Sequence, residues 1–233
     1  MQFFKNILAD LAHLVYPHVC NGCGSDILAN ENLLCAKCFI DLPVTNYAQH
    51  ANNPIEKIFW GRMPLAAAHS EFYFAKESLI QHLVHQLKYK GNKEIGFYLG
   101  ELMAKSLINS NRFNNIDGLI PLPLFPDKER KRGYNQAAII CNGMSEVINV
   151  PVLNNVLIRQ TFTETQTKKH RTERWENVEG SFAIKNKYLL QGKHLLLVDD
   201  VVTTGATFEA SGNTLLQIEG VQLSIAALTV ATK

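Results

Sequence analysis

A short apolar run that ends in two aspartates constrains this chain more than any other feature. Residues 195–198 are Leu-Leu-Leu-Val, a pattern that suits a strand buried on both faces of a parallel sheet. Asp199 and Asp200 then stand at the carboxyl end of that strand. Ligands of open α/β sheets bind in the crevice beyond the carboxyl ends of the strands. The run therefore predicts an α/β fold and also where its binding site lies.

The residues after the acid pair are typical of a phosphate-binding turn. Residues 203–207, Thr-Thr-Gly-Ala-Thr, lead into a predicted helix that begins near Phe208. Unpaired amides and the helix dipole favour a phosphate at a helix N-terminus, and Gly205 would let the backbone approach it without a Cβ. The two aspartates would instead accept hydrogen bonds from sugar hydroxyls or help to hold a hydrated Mg²⁺. A ligand with a phosphate and a vicinal diol fits, and the alternative is a strand end followed by a helix cap.

Residues 195–207 resemble the binding motif for phosphoribosyl pyrophosphate (PRPP) of the type I phosphoribosyltransferases. That motif joins an apolar strand, two acids, two spacers, Thr-Thr-Gly and a further hydroxyl. The resemblance implies PRPP with Mg²⁺ as the ligand and the two acids, Asp199 and Asp200, as the catalytic residues. The PRPP-binding residues predicted in this way are Asp199, Asp200, Val201, Val202, Thr203, Thr204, Gly205, Ala206 and Thr207.

Four of the five cysteines form two Cys-x-x-Cys pairs, Cys20 with Cys23 and Cys35 with Cys38. Two such pairs can place four thiolates at the corners of a tetrahedron, the geometry of closed structural zinc sites. Two disulfides or a redox pair are the alternatives. Disulfides need an oxidising compartment, yet no secretion signal is evident, and a redox pair does not explain two copies. We predict structural Zn²⁺, and we interpret Cys141 as a buried helix residue.

Length and charge narrow the remaining possibilities. With 233 residues, 46% of them hydrophobic, the chain can form one main domain with a small appendage. A formal net charge of +2 excludes a strongly basic nucleic-acid binder. No apolar stretch approaches the ~20 residues of a membrane span, so we expect a soluble, cytoplasmic protein. Residues 3–15 predict an amphipathic helix packed on its own domain, with a membrane or partner contact as the alternative.

The segment between the cysteines and the acid pair has the pattern of an α/β unit. Two basic stretches, a loop at residues 128–132 and a connection at residues 168–174, would face the same crevice as the acid pair. We predict that Arg130, Arg132, Lys168 and Arg171 balance the charge of a pyrophosphate. Strands are predicted at residues 66–74, 118–123 and 152–159, helices at residues 78–90 and 93–109 and from about Asn135, and a final strand pair at residues 222–231.

The ordered set of motifs over nearly the whole chain is similar to the ComF family. The resemblance implies a zinc-knuckle module at residues 1–60 and a phosphoribosyltransferase-like domain at residues 61–233, whose parallel sheet is flanked by helices. It also implies a role in DNA uptake during natural competence. Besides the cysteine pairs and the acid-pair turn, the motifs are Leu-Lys-Tyr at 87–89 with Gly91, Pro-Leu-Pro at 121–123, Arg-Gly-Tyr-Asn-Gln-Ala at 132–137, and Arg159 with Thr-Gln at 165–166 and Arg171.

Two functions of different class follow. The first is a transferase that moves phosphoribose to a nitrogenous acceptor and releases pyrophosphate, by positioning and by stabilising a cationic sugar. The second is a non-catalytic protein that senses PRPP or binds single-stranded DNA and contacts the DNA-uptake machinery, with Tyr134, Phe162 and Trp175 as candidate stacking residues. The intact acid pair favours retained ligand binding, because two carboxylates are of no use in a polyanion groove.

Overall fold

A parallel sheet forms the centre of the protein, whose computed structural model describes residues 18–26, 32–159 and 181–231. The strands in chain order are β1 (Ala67–Phe74), β2 (Gly118–Pro121), β3 (Leu157–Arg159), β4 (Phe182–Ile184), β5 (His194–Val202) and β6 (Gln222–Ala231). The central sheet has the order β1, β6, β5, β2, with every neighbouring pair parallel. The short strands β3 and β4 pair with each other antiparallel.

Helices cover the sheet, and most of them begin at a side-chain cap. Asn53, Ser78, Asn92 and Asn135 each accept a backbone N–H of the helix that follows, which satisfies amides that the helix itself leaves unpaired. The helices in chain order are α1 (Ala36–Ile40), α2 (Pro54–Phe59), α3 (Leu79–Tyr89), α4 (Lys93–Ile108), α5 (Pro126–Arg132), α6 (Gln136–Ile148) and α7 (Ala206–Leu216).

The sheet separates two clusters of buried apolar side chains. Leu196 and Val198 of β5 belong to one cluster, and Leu195 and Leu197 belong to the other, because successive strand residues point to opposite faces. The first cluster also contains the buried faces of α3, α4 and α6, and the second contains side chains of α2 and α7. With both faces covered, the continuous apolar run of β5 is explained.

The predicted α/β architecture, a parallel sheet flanked by helices and preceded by a small cysteine module, is confirmed. The cysteine module is residues 18–26 and 32–42, and its Cys20 and Cys38 are buried against the first cluster. No helix in the described part of the chain is long and apolar enough to cross a membrane.

Three predicted elements were wrong. Residues 222–231 form one strand, β6, because the run contains no Gly, Pro, Asn or Asp that would start a turn, and β6 lies between β1 and β5. Residues 128–132 belong to helix α5 rather than a loop, since Pro126 starts a helix and Gly133, at φ +79°, ends it. The predicted strand at 152–159 shortens to β3, because a turn with Asn155 at φ +62° interrupts it.

Several predictions fall on parts of the chain that the structure does not describe. They are the N-terminal helix at residues 3–15, the second basic stretch with Lys168 and Arg171, and the aromatic candidates Phe162 and Trp175, all of which lie outside the described residues.

Candidate functional site

The acid pair lies near the carboxyl end of β5. Asp200 is only 2% exposed, whereas Asp199 is half-buried. Adjacent strand residues point to opposite faces, so the two carboxyl groups meet different surroundings. Asp200 contacts Lys88 of α3, and Asp199 interacts electrostatically with Arg159 of β3. The pair is therefore held between two cations that come from separate parts of the chain.

Lys88 is the direct partner of the buried acid. Its Nζ lies 2.8 Å from Oδ2 of Asp200, and both side chains are largely buried. A buried carboxylate without a cation would be strongly unfavourable. The contact is ionic and lacks hydrogen-bond geometry, and Oδ2 has no hydrogen-bond donor among the described residues. Among the described residues, the Lys88 ammonium is therefore the group that compensates this buried oxygen.

Asp199 has an unusual protonation state. Burial and the neighbouring charge of Asp200 raise the pKa of Asp199 to about 8, although Lys88 and Arg159 oppose the shift. Its Oδ1 accepts the backbone N–H of Asp200 at 2.8 Å. A raised pKa favours the protonated form of Asp199, which lowers the repulsion between this side chain and an anionic ligand.

The predicted phosphate turn leads into a helix with an open N-terminus. Thr203 and Thr204 are exposed, and α7 begins at Ala206, two residues before the predicted start. The amide of Glu209 donates to the carbonyl of Gly205 at 2.8 Å. Unlike α2, α3, α4 and α6, helix α7 has no side-chain cap among the described residues. Apart from the amide of Ala206, which makes a long hydrogen bond of 3.5 Å to Oγ1 of Thr204, its first amides are therefore available to an anion.

Gly205 is required for a different reason from the one predicted. Its φ is +76°, a conformation that favours glycine. A Cβ at this position would lie 2.7 Å from Ile58 and 2.7 Å from Phe59, on the side of the turn that packs on α2. The expectation that the missing Cβ makes room for the ligand is therefore wrong, because the missing Cβ makes room for α2.

Only one of the two described candidate arginines approaches this region. Arg132 lies over the ring of Tyr89, 5.4 Å from its centroid, and donates to Oε1 of Gln136 at 2.7 Å, so it borders the end of α3 beside Lys88. Arg130 pairs instead with Asp127 of its own helix, and its side chain is 78% exposed.

The turn after α5 packs onto the same end of α3. The hydroxyl of Tyr134 donates to the carbonyl of Leu87, and the ammonium of Lys93 lies 5.0 Å from the Tyr134 ring centroid. These contacts use the ring and the hydroxyl for packing, so Tyr134 is a weaker candidate for stacking on a ligand. They also fix the helix end that carries Lys88.

Two site residues were missed by the sequence reasoning. Lys88 and Arg159 both stand in motifs of the ComF resemblance, but neither was assigned a role. Their presence in those motifs, Lys88 in Leu-Lys-Tyr and Arg159 as a single arginine, was the signal that could have suggested a role at the site. The guanidinium of Arg159 lies 3.6 Å from the ring centroid of Phe125 and is close enough to Asp199 to influence its pKa. We use the name acid-pair crevice for Asp199, Asp200, residues 203–207, Lys88 and Arg132.

The four predicted metal ligands come together in the cysteine module. The sulfurs of Cys20, Cys23, Cys35 and Cys38 all lie within 4.8 Å of one another, and those of Cys23 and Cys35 are 3.7 Å apart. Four sulfurs bound tetrahedrally at about 2.3 Å would be separated by about 3.8 Å. The backbone N–H groups of Gly22 and Cys35 also donate to the sulfur of Cys20, at 3.3 and 3.2 Å.

The protonation behaviour of the thiols suits a bound cation. Ser25 lowers the pKa of Cys23 to about 6, whereas burial and the three neighbouring thiols raise the pKa of Cys38. Four thiolates so close together repel one another unless a cation compensates them. The donor set of four sulfurs fits Zn²⁺ in a closed structural site.

The cysteine module is attached to the end of α3 that carries Lys88. Nε2 of Gln86 donates a hydrogen bond to the carbonyl of Asn21 at 2.7 Å, and Nδ2 of Asn92 donates one to Oδ1 of Asn21 at 2.8 Å. Nδ2 of Asn92 also donates to Oε1 of Gln86 at 2.9 Å. One side of this junction is a cysteine knuckle, and the other side lies two residues from the partner of Asp200.

Comparison with known proteins finds relatives along most of the chain, although no family model matches it. It is 27% identical to "Competence protein F" of Haemophilus influenzae over 91% of this chain and 90% of that protein. It is 26% identical to "DNA utilization protein YhgH" of Escherichia coli K12, over 85% of this chain and 84% of that protein. It is 34% identical to "Competence protein ComFC" of Bacillus subtilis, over 48% of this chain and 43% of that protein.

Among solved structures, the likenesses are weak. One is glutamine PRPP amidotransferase of B. subtilis, with a TM-score of 0.40 and 16% identity over 60% of this chain and 30% of that chain. Another is hypoxanthine phosphoribosyl transferase of Trypanosoma cruzi, with a TM-score of 0.36 and 17% identity over 59% of this chain and 66% of that chain. Such scores carry no functional argument. The relatives named for competence and DNA utilization match most of this chain, and together with its ordered motifs they support the resemblance to the ComF family.

Proposed function

We propose that this protein binds PRPP in the acid-pair crevice and transfers its phosphoribosyl group to a nitrogenous acceptor, with release of pyrophosphate. The observation that carries the proposal is an uncapped helix N-terminus at the end of the same strand that bears a buried acid pair. The first feature suits a phosphate and the second suits the hydroxyls of a ribose. A single ligand that carries both groups would span them.

Each part of the crevice has a role in this proposal. The amides and hydroxyls of residues 203–207 hold the 5-phosphate, and Asp199 and Asp200 accept the ribose hydroxyls. The same carboxyl groups fit Mg²⁺, which prefers oxygen ligands and which would supply charge compensation for the pyrophosphate. The bond from C1 to the pyrophosphate oxygen breaks as the acceptor nitrogen supplies an electron pair to C1. Arg132 balances the departing anion, in the proposed company of Lys168 and Arg171, whereas Arg130 is turned to Asp127 and takes no part.

Lys88 makes an acid pair compatible with a highly charged ligand. Two ionised carboxylates would repel a phosphate ester. The ammonium group of Lys88, which contacts Asp200, and the raised pKa of Asp199, which favours its protonated form, reduce that repulsion. A cavity of about 390 Å³ lies beside the carboxyl end of β2, bordered by Pro123, Asn135 and Arg159. It offers room for the pyrophosphate or the acceptor beside Arg159, which interacts electrostatically with Asp199.

We also propose that Cys20, Cys23, Cys35 and Cys38 hold one structural Zn²⁺ in a module of residues 1–60, ahead of the domain at residues 61–233. The convergence of the four sulfurs supports the metal. Four free thiolates need reducing conditions, which the cytoplasm provides.

The names of the relatives lead us to propose a role in DNA uptake, in contact with its machinery. A non-catalytic protein that senses PRPP or binds single-stranded DNA is the second candidate. One observation favours DNA. Tyr89 is 66% exposed, its ring centroid lies 4.9 Å from that of His85, and Arg132 lies over it. An exposed aromatic ring beside basic groups is the arrangement that stacks on unpaired bases.

The two candidates respond oppositely to loss of the acids. In Asp199→Asn/Asp200→Asn, a sugar site should lose Mg²⁺-dependent PRPP binding, whereas a polyanion site should bind at least as well because two carboxylates are gone. Titration calorimetry with PRPP, with and without Mg²⁺, and then with a short single-stranded DNA measures both. Glu219→Gln is the matched control, because Glu219 is an exposed acid in the turn before β6, at the other end of the sheet.

We expect the double variant to lose PRPP binding and pyrophosphate release, and we expect Glu219→Gln to retain both. Full PRPP affinity in the double variant, together with tighter and salt-sensitive DNA binding, would reverse this ranking of the two functions.

A further inference from the structure

Arg62 connects the segment after α2 to the turn that precedes α7. Its Nη1 donates to the carbonyl of Thr204 at 2.7 Å and to the carbonyl of Ile58 at 3.0 Å, and its Nη2 pairs with the carboxylate of Glu209. One guanidinium thereby joins the end of α2, the turn and the first turn of α7. No sequence motif singled out this residue.

The side of the turn that faces α2 is closely packed as well. Gly205 has no space for a Cβ because Ile58 and Phe59 lie against it. The rings of Phe59 and Phe208 meet edge to face, with centroids 6.3 Å apart. Helix α2 is therefore the base on which the turn rests, and Arg62 is the polar clamp at its edge.

The bond to Thr204 fixes a direction that matters for an anion. In a trans peptide the C=O and N–H groups point to opposite sides. Because Arg62 holds the carbonyl of Thr204, the N–H of Gly205 points away from Arg62. A turn that lost this bond could rotate the peptide and present a carbonyl oxygen to the phosphate instead.

The pair with Glu209 has an electrostatic consequence. Glu209 lies in the first turn of α7, where its charge interacts favourably with the helix dipole but opposes a second anion at the same end. Arg62 compensates that charge. We infer that Arg62 is a positioning residue for the phosphate turn, which orients the Gly205 amide and neutralises Glu209. This inference rests on the proposed function, in which the turn binds the 5-phosphate.

Arg112 offers a closely matched control. Its Nη1 donates to the carbonyl of His50 at 2.7 Å and its Nη2 pairs with Glu56, so it also links a carbonyl and a carboxylate around α2. These contacts are made at the other end of α2, away from the turn. Arg62→Gln and Arg112→Gln therefore both remove a carboxylate pair and a bond to a carbonyl, but only Arg62→Gln removes contacts with residues 203–209.

The experiment combines a ligand-free and a ligand-bound measurement. Backbone amide exchange over residues 203–209 should be about tenfold faster in Arg62→Gln and unchanged in Arg112→Gln. The affinity for ribose 5-phosphate, measured by calorimetry, should fall at least about tenfold in Arg62→Gln. Adding Glu209→Gln to Arg62→Gln should restore part of that affinity, because the uncompensated carboxylate is removed.

Each result decides the inference. If the wild type does not bind ribose 5-phosphate, the proposed function fails, and amide exchange still tests whether Arg62 holds the turn. Unchanged exchange in Arg62→Gln overturns the inference, as does faster exchange with full affinity. Equal losses of affinity in Arg62→Gln and Arg112→Gln, in step with their melting temperatures, would make Arg62 merely structural and would also overturn it.

Discussion

The cysteine module and the acid-pair crevice assemble their functional groups in different ways. All four sulfurs of the module come from residues 20–38, so two local knuckles bring them together. The crevice draws Lys88 from α3, Arg132 from α5 and the acids from β5, and these residues are far apart in the chain. The module is therefore assembled by local chain geometry, whereas the crevice depends on how helices pack around one strand end.

The two regions nevertheless meet at α3. Asn21 of the first knuckle is bonded to Gln86, and Lys88 two residues later contacts Asp200. A change at the cysteines can thus reach the acids through a single helix end. The first prediction uses this connection to ask how independent the two regions are.

Replacement of a metal ligand should have the largest effect. In Cys35→Ser we expect the loss of about one zinc per chain and unfolding of the module, because a structural zinc supplies roughly 10 kcal/mol of binding free energy to its fold. PRPP affinity should fall as well, since Lys88 loses the support of Asn21. Elemental analysis, thermal unfolding and calorimetry measure the three effects.

Cys141→Ala is the control for this experiment, because Cys141 is a fully buried cysteine of α6 that lies outside the cluster. It should keep the zinc. Wild-type protein without zinc, purified under reducing and chelator-free conditions, would contradict the metal assignment. Intact PRPP affinity in zinc-free Cys35→Ser would instead show that the two regions are independent.

A substitution in the turn should have an intermediate effect. Gly205→Ala combines a positive φ with a Cβ that meets Ile58 and Phe59, so we expect a loss of about 2–4 kcal/mol in the free energy of unfolding. Gly192→Ala has a similar φ of +68°, but no atom of the described residues lies within 4 Å of its Cβ, and it should lose only about 1 kcal/mol. Urea unfolding measures both. Equal losses would mean that packing on α2 does not restrain the turn.

The pH dependence of ligand binding should be the smallest effect. The pKa of Asp199 is raised to about 8, so Mg²⁺ must displace a proton below that pH. Affinity for PRPP with Mg²⁺ should rise by at most about tenfold per pH unit up to pH 8 and then level off. The same shift favours the protonated folded state, so its contribution to stability decreases as pH rises from about 4 to about 8.

Asp199→Asn isolates this group, because it cannot titrate. The slope of affinity against pH between 6 and 8 should be shallower in this variant than in the wild type. An unchanged slope would assign the pH dependence to another group or to the ligand itself.

How well the sequence predicted each feature depended on how local that feature is. The buried strand, the acid pair and the turn follow one another in the chain, so a local pattern was enough to predict them. The helices α3, α4 and α6 were also predicted, from the helical spacing of their apolar residues. The predicted strand pair at residues 222–231 failed because a continuous apolar run does not reveal whether one central strand or two shorter ones will use it.

Contacts between segments that are distant in the chain could not be predicted from the sequence. A lysine or arginine in a sequence is usually solvated, so nothing in the local pattern distinguished Lys88, which is buried on Asp200, from Arg130, which is exposed. Gly205 was identified correctly as a special position, but its neighbours Ile58 and Phe59 lie in a segment that no pattern linked to the turn.

The sequence by itself determined which groups this protein can offer, namely two cysteine pairs, an acid pair and a glycine-containing turn before a helix. Spacing was enough because each group is built within a few residues, where chain geometry leaves few arrangements. Only the tertiary structure decided which cations face the acids and what lies beneath the turn. Those contacts depend on how helices from distant parts of the chain pack on the sheet, and the packing of a complete core selects them.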